Sequence, residues 1–217
     1  FFAYYNRVVR VYKTTKFRKT NIEQGGRHMR VIAGIARRRN LVCPSGDGTR
    51  PTTDRIKETL FNILQSDLYD IRFLDLFSGS GGIGIEALSR GAKEAVFVEN
   101  GKEAVSCIKQ NLKATGFLDQ SQVMAMDVMQ ALRRLETLNR PFDIIFMDPP
   151  YRKGFEEKII PYLLESSLVR EGTQIIVETA KDTDISYMEN FDCDMERVKE
   201  YKTNRHVFLR VTKESDA

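Results

Sequence analysis

Four acids stand where apolar runs stop, and the residues beside them suggest chemistry. Asp75 lies in the run RFLDLFSGSGGIG, Arg72 to Gly84, ahead of Phe77 and a cluster of four glycines. Glu99 ends Ala95–Glu99, Asp127 ends Gln122–Asp127, and Asp148 comes near the end of Phe142–Tyr151, followed by Pro149, Pro150 and Tyr151. Glycines after a buried strand let the backbone approach a ligand and leave the amides of the next helix free to face it. A nucleotide-like cofactor is therefore the first expectation. Gly79 to Gly84 also satisfies G-x-G-x-x-G, and Glu99 falls 20 residues after Gly79, so a dinucleotide fits formally. Asp75 argues against it, because a carboxylate repels a pyrophosphate and attracts a cationic amino acid moiety. S-adenosylmethionine, with an ammonium, a sulfonium and no phosphate, suits such an acid.

The other acids divide the work. Glu99 could accept from both ribose hydroxyls. Asp127 could meet the adenine amino group, or could simply cap the helix that follows. Two prolines after Asp148 fix an extended turn with few amide donors, leaving the carboxylate and the Pro149 carbonyl as acceptors. With the Tyr151 ring, these groups suit a planar base bearing an exocyclic NH2, drawn out of its stack. Hydrogen bonds from that NH2 would hold the nitrogen lone pair toward a sulfonium methyl, so transfer would be an in-line displacement with no metal.

The elements that must position these residues follow from periodicity. Strand-like runs at Arg72–Asp75, Ala95–Glu99, Gln122–Asp127, Phe142–Tyr151 and Gln174–Thr179 alternate with helical stretches, which predicts a doubly wound parallel sheet. At the end, RVKEYKTNRHVFLRVT predicts two antiparallel strands around Thr203-Asn204, bringing the sheet to seven strands. Ligands of such sheets bind outside the carboxyl ends of the strands, where the four acids are expected. Upstream, Met29–Ile32 and Leu41–Cys43 flank Gly34 and the triplet Arg37-Arg38-Arg39, which predicts a small basic β-hairpin. A helix then follows a Gly/Pro/Ser loop, with Thr52 or Thr53 as cap and Ile56, Leu60, Ile63 and Leu64 as the buried stripe.

Composition narrows the class. With 217 residues, 41% apolar, the chain can bury one sizeable core, and no apolar run is long enough to span a membrane. Three dispersed cysteines and two histidines build neither a disulfide framework nor a zinc cluster, which points to a reducing cytoplasm. Charge is segregated: residues 1–29 balance to +6, 30–57 to +5 and 58–217 to −7, giving the net +4. A basic front on an acidic body suggests a polyanion met from one side. Residues 1–28 are aromatic and basic without period, and read either as a nucleic-acid-binding arm or as a tag or extension ahead of Met29.

In order and spacing, MRVIAGIARRRNL, TRPTTDRIKETLFNIL, LDLFSGSGGIGIEALSRGA, VFVE and MDPPY resemble the bacterial 16S ribosomal RNA guanine-N2 methyltransferases of the D type, over nearly everything from Met29 onward. The resemblance implies a class I, Rossmann-like methyltransferase domain over 51–217, behind a basic hairpin and loop over 29–50 and a leader, 1–28, outside the family pattern. It implies S-adenosylmethionine as donor and a guanine of 16S rRNA as acceptor, within an assembled or partly assembled small subunit. The enzyme would be a cytoplasmic monomer. Asp75, Phe77, Gly79, Gly81, Glu99 and Asp127 would hold the cofactor, and Asp148, Pro149 and Tyr151 would orient the guanine. Arg30, Arg37, Arg38, Arg39, Arg50 and Arg55 would meet RNA. The glycine loop and DPPY alone would equally serve an adenine-N6 methyltransferase on DNA or RNA, and the fold could also carry a non-catalytic RNA-binding assembly factor.

Overall fold

The computed structural model describes residues 29–45 and 53–212. The leader, Arg50 and the capping candidate Thr52 lie outside them. The hairpin forms from β1 (Met29–Arg30) and β2 (Asn40–Leu41), paired antiparallel with Met29 opposite Leu41. Helix α1 (Asp54–Ile63) begins at Thr53, whose side chain accepts from the Ile56 amide, with Asp54 in the first turn where the helix dipole favours an anion. Its buried face differs from the expected stripe. Leu60 and Leu64 are buried as foreseen, but Lys57 and Phe61 replace Ile56 and Ile63, which are only half-buried. Lys57 can turn inward because its Nζ donates to the Arg30 carbonyl (2.6 Å) and stands 3.6 Å from the Glu86 carboxylate.

The main sheet has seven strands in the order β5-β4-β3-β6-β7-β9-β8. They are β3 (Arg72–Leu76), β4 (Glu94–Glu99), β5 (Ser121–Ala125), β6 (Ile144–Met147), β7 (Gln174–Ala180), β8 (Cys193–Glu200) and β9 (Asn204–Val211). Strands β3 to β7 pair parallel, while β9 runs antiparallel to β7 and to β8. This is the doubly wound sheet with a closing hairpin that the sequence predicts. Strand β8 starts at Cys193, ahead of the expected Arg197, and carries a bulge between Met195 and Arg197. Its mostly exposed, charged residues give no apolar alternation to mark that start, as suits an edge strand.

Side chains alternate across the sheet, so each strand feeds two cores. On one face, Leu74, Leu76, Val96, Val98, Ile145 and Val177 pack with α4 (Val128–Glu136) and α5 (Glu156–Glu165). On the other, Phe73, Phe97, Phe146, Ile176 and Phe208 pack with α1, α2 (Gly82–Ser89) and α3 (Lys102–Thr115). The basic hairpin belongs to the second core: Met29, Val31, Ala36 and Leu41 are buried within it. Strand order reverses at the neighbours β3 and β6, the first followed by the glycine loop and the second by Asp148-Pro149-Pro150-Tyr151. Both candidate motifs thus flank the switch point at which open α/β sheets bind ligands.

Candidate active site

Asp75 is almost fully buried and points toward the helix after the loop, where its Oδ2 accepts from the Gly84 amide at 2.9 Å. Burial pushes its carboxyl up to about 7 against the pull of that bond, and the Glu99 charge adds to the rise. Other loop amides also have partners in the protein: Gly79 N–H donates to Glu99 Oε2 (2.8 Å) and Gly81 N–H to the Ser78 carbonyl (2.7 Å). The expectation that the next helix leaves its amides free for a ligand is corrected at Gly84, whose amide is spent on Asp75.

The loop geometry accounts for its glycines. Gly79 and Gly81 have φ of +54° and +77°, in the left-handed region. A Cβ on Gly84 would lie 2.4 Å from the Phe97 ring, and one on Gly82 would lie 2.5 Å from Met29 Sδ. At Gly79 a Cβ would meet no protein atom within 4 Å, so that turn opens onto space. Phe77 also has a positive φ, 59°, a costly conformation for a bulky residue, and its ring packs edge-on against Phe155 at 5.2 Å.

Glu99 knits the adjoining loop together. Besides Gly79, it accepts through Oε1 from the amides of Asn100 (2.9 Å) and Gly101 (2.8 Å). Asp127 stands two residues beyond β5 and caps α4, its Oδ1 accepting from Met129 and Gln130. The capping alternative is therefore realised in the fold, with both bonds on one carboxylate oxygen.

Asp148 follows β6 directly, and burial, then the charges of Glu178 and Asp75, raise its carboxyl well above the usual range. Pro149 is buried, whereas Pro150 and Tyr151 are exposed. Tyr151 keeps 44% of its surface open while its hydroxyl donates to Glu178 Oε1 at 3.2 Å. Asp75, Asp148, Glu178 and Glu99 thus gather at adjacent strand ends. Glu178 went unnoticed in the sequence although QIIVET carries the signal of the other four, an acid finishing an apolar strand.

Of the arginines, Arg37, Arg38 and Arg39 are exposed at the hairpin tip, with Arg38 at φ 69°. Arg30 pairs through Nε with Asp54 at 2.8 Å, and Arg55 is exposed on α1. The hairpin that bears the triplet covers the glycine loop: Ser80 Oγ lies 3.5 Å from Met29 Sδ, and Asn111 Nδ2 donates to the carbonyls of both Val42 and Ser80. Among the described residues, no helix is long and apolar enough to cross a membrane.

The model of a family described as Conserved hypothetical protein 95 matches residues 29–210. Ribosomal RNA small subunit methyltransferase D of Haemophilus influenzae is 38% identical over 165 residues, covering 75% of this chain and 84% of its own length. The protein of the same name from Escherichia coli is 38% identical over 155 residues, covering 71% and 76%. Among solved structures, a hypothetical protein of Thermus thermophilus superposes with a TM-score of 0.72 at 31% identity, covering 84% of this chain and 99% of that one.

Proposed function

Since the chain belongs to the Conserved hypothetical protein 95 family, together with the D-type small-subunit ribosomal RNA methyltransferases, we propose that it transfers a methyl group from S-adenosylmethionine to the exocyclic N2 of a guanine in 16S ribosomal RNA. The observation that carries this reading is the pairing of two motifs across the β3/β6 switch point. A glycine loop with a buried acid stands on one side, and Asp148-Pro149-Pro150-Tyr151 stands on the other.

The residues present fit the donor. The hydrogen bonds of Asp75 and Glu99 go to backbone amides among the described residues. Neither carboxylate pairs with a Lys or Arg of the described residues, and their negative charge suits an ammonium and a sulfonium far better than a pyrophosphate. The open turn at Gly79 offers room for close backbone approach. Asp75, Phe77, Gly79 and Gly81 would hold the methionine portion, Glu99 the ribose and Asp127 the adenine. When bound, S-adenosylmethionine supplies an electrophilic methyl group.

The chain's own residues supply position and electrostatics. Asp148 and the Pro149 carbonyl accept from the guanine NH2, which localises a lone pair otherwise delocalised into the ring, and Tyr151 stacks on the base. Methylation leaves one N–H proton too many on that nitrogen. The Asp148 carboxylate, whose affinity for a proton is raised by burial and by the charges of Glu178 and Asp75, is suited to receive it. The physical substrate in this reading is a partly or fully assembled small subunit, met by a monomer through Arg37, Arg38 and Arg39, with Arg30, Arg50 and Arg55 as further RNA contacts.

The test is methylation of undermethylated small subunits with labelled S-adenosylmethionine, followed by nucleoside analysis. N2-methylguanosine is expected; N6-methyladenosine or no transfer rejects the reading. Asp148→Ala should lower turnover at least ~100-fold, with the affinity for S-adenosylhomocysteine changed less than about twofold. Turnover close to wild type in that variant rejects the role of Asp148.

A further inference from the structure

Behind Tyr151 runs a buried polar chain that the proposed reaction does not yet use. Glu178, near the end of β7, is 5% exposed and makes no contact with an arginine or lysine among the described residues. Its Oε1 accepts from the Tyr151 hydroxyl and from Asn204 Nδ2, and its Oε2 lies 3.0 Å from His206 Nε2. A carboxylate only accepts, so Nε2 carries the hydrogen and Nδ1 is left to meet the Tyr201 hydroxyl at 3.2 Å. His206 is fully buried, Asn204 is 5% exposed, and the β7/β9 register sets Glu178 directly opposite His206. Three donors thus fix one buried carboxylate, and one of them is the only exposed member, the tyrosine after the two prolines. Buried polar groups held this completely specify a single arrangement.

We propose that Glu178 is a positioning residue of the acceptor face: anchored on β9 by Asn204 and His206, it holds Tyr151 by its hydroxyl and so fixes the ring on which the base is stacked. The inference rests on the functional reading above, since it assumes a base at Tyr151. Without this bond, the tyrosine ring would lose the contact that ties its hydroxyl to β7, and orientation for attack would suffer with it. Glu178 has a second effect through Asp148. Among the described residues, the charged groups facing that carboxyl are Glu178 from β7 and Asp75 from β3, with His206 from β9 standing behind Glu178. Removing the Glu178 charge should let Asp148 ionise more easily.

The experiment is single-turnover methylation of undermethylated small subunits over pH 5 to 9, with S-adenosylhomocysteine affinity measured on the same proteins. Tyr151→Phe and Glu178→Ala should each slow transfer roughly 10- to 100-fold, the range for a hydrogen bond to a charged acceptor. The double variant should be no slower than the worse single one, because both remove the same contact. Glu178→Gln should recover much of the loss, since its amide oxygen can still accept from Tyr151 while His206 takes the other tautomer. Its acid limb should also move to lower pH, which a purely structural role would not cause. Should Glu178→Ala fail to fold, Tyr151→Phe, a change at an exposed residue that leaves the bonds of Glu178 to Asn204 and His206 in place, and the pH profile of Glu178→Gln decide the matter. Multiplicative losses, an unshifted acid limb, or a Tyr151→Phe variant as fast as wild type would overturn the inference alone. A wild-type protein that makes no N2-methylguanosine takes both the functional reading and this inference down.

Discussion

At the scale of single residues, the fold resists the charge of two of the site's carboxylates, Asp75 and Asp148. Asp75 shows the consequence most directly, because its carboxyl rises from 3.8 to about 7 on burial. A group whose folded value lies above its unfolded one binds protons more readily in the native state. Its contribution is therefore fully present below about pH 4 and is lost as pH climbs through about 7. The rise corresponds to at most ~4 kcal/mol. Asp75→Asn keeps an oxygen that can accept from Gly84 N–H but cannot ionise. It should come nearest to the wild type in urea unfolding below about pH 4, exceed it by up to ~4 kcal/mol at pH 8, and bind S-adenosylhomocysteine more weakly. A stability difference that does not vary with pH would rule out a buried, titrating Asp75. The identity of the acids was legible because each finishes an apolar run. The cap that Asp127 places on α4 was legible too, as the alternative to a cofactor role, but that Asp75 holds Gly84 and that Phe77 takes a positive φ depend on a turn whose torsions leave no periodic trace.

At the scale of elements, the basic hairpin is clamped to α2, the helix that follows the glycine loop. Glu86, fully buried, accepts from the amides of Ile32 (2.8 Å) and Ala33 (2.9 Å) and is paired with Arg90 at 2.8 Å. Ser89 accepts from Ala36 N–H through Oγ and from Ile35 N–H through its carbonyl. Gly34 makes this contact possible, since at φ +79° a Cβ would lie 1.8 Å from the Ser89 carbonyl oxygen. Gly34→Ala should cost roughly 2 to 5 kcal/mol, combining left-handed strain with overpacking against backbone that cannot yield. Gly79→Ala is the matched control: its φ is +54°, but a Cβ there meets open space, so it should cost only about 1 kcal/mol in urea unfolding. Equal costs would mean the hairpin is not seated on Ser89. The strands and helices of the sheet were legible because apolar period and turn residues agree over each of them. The clamp was not, since Glu86 and Lys57 are charged residues in a core, and a lone sequence does not say that each has the other for company.

At the scale of the whole molecule, charge decides how a polyanion is approached. Residues 58–217 carry a balance of −7, while the positive excess lies ahead of them, and within the described residues Arg37, Arg38 and Arg39 stand exposed on the hairpin that roofs the glycine loop. A body of net negative charge repels phosphates on balance, so an approaching RNA would be drawn toward this front before it makes any base contact. The hairpin is also held by bonds that loss of these side chains leaves in place. Val31 N–H bonds the Arg39 carbonyl and Arg38 N–H bonds the Val31 carbonyl, both at 2.9 Å and both through backbone atoms. Replacing the three arginines by alanine should therefore leave the fold and S-adenosylhomocysteine affinity intact while weakening RNA. Each lost phosphate contact removes about 0.7 to 0.9 from the slope of log affinity against log salt, so the slope should flatten by up to ~3. Measuring that slope for 16S rRNA from 50 to 300 mM salt separates two cases. A flattened slope with wild-type methylation at low salt makes the hairpin a phosphate clamp that acts through affinity alone, whereas an unchanged slope means that RNA meets the molecule on another face and that the charge segregation does not steer it.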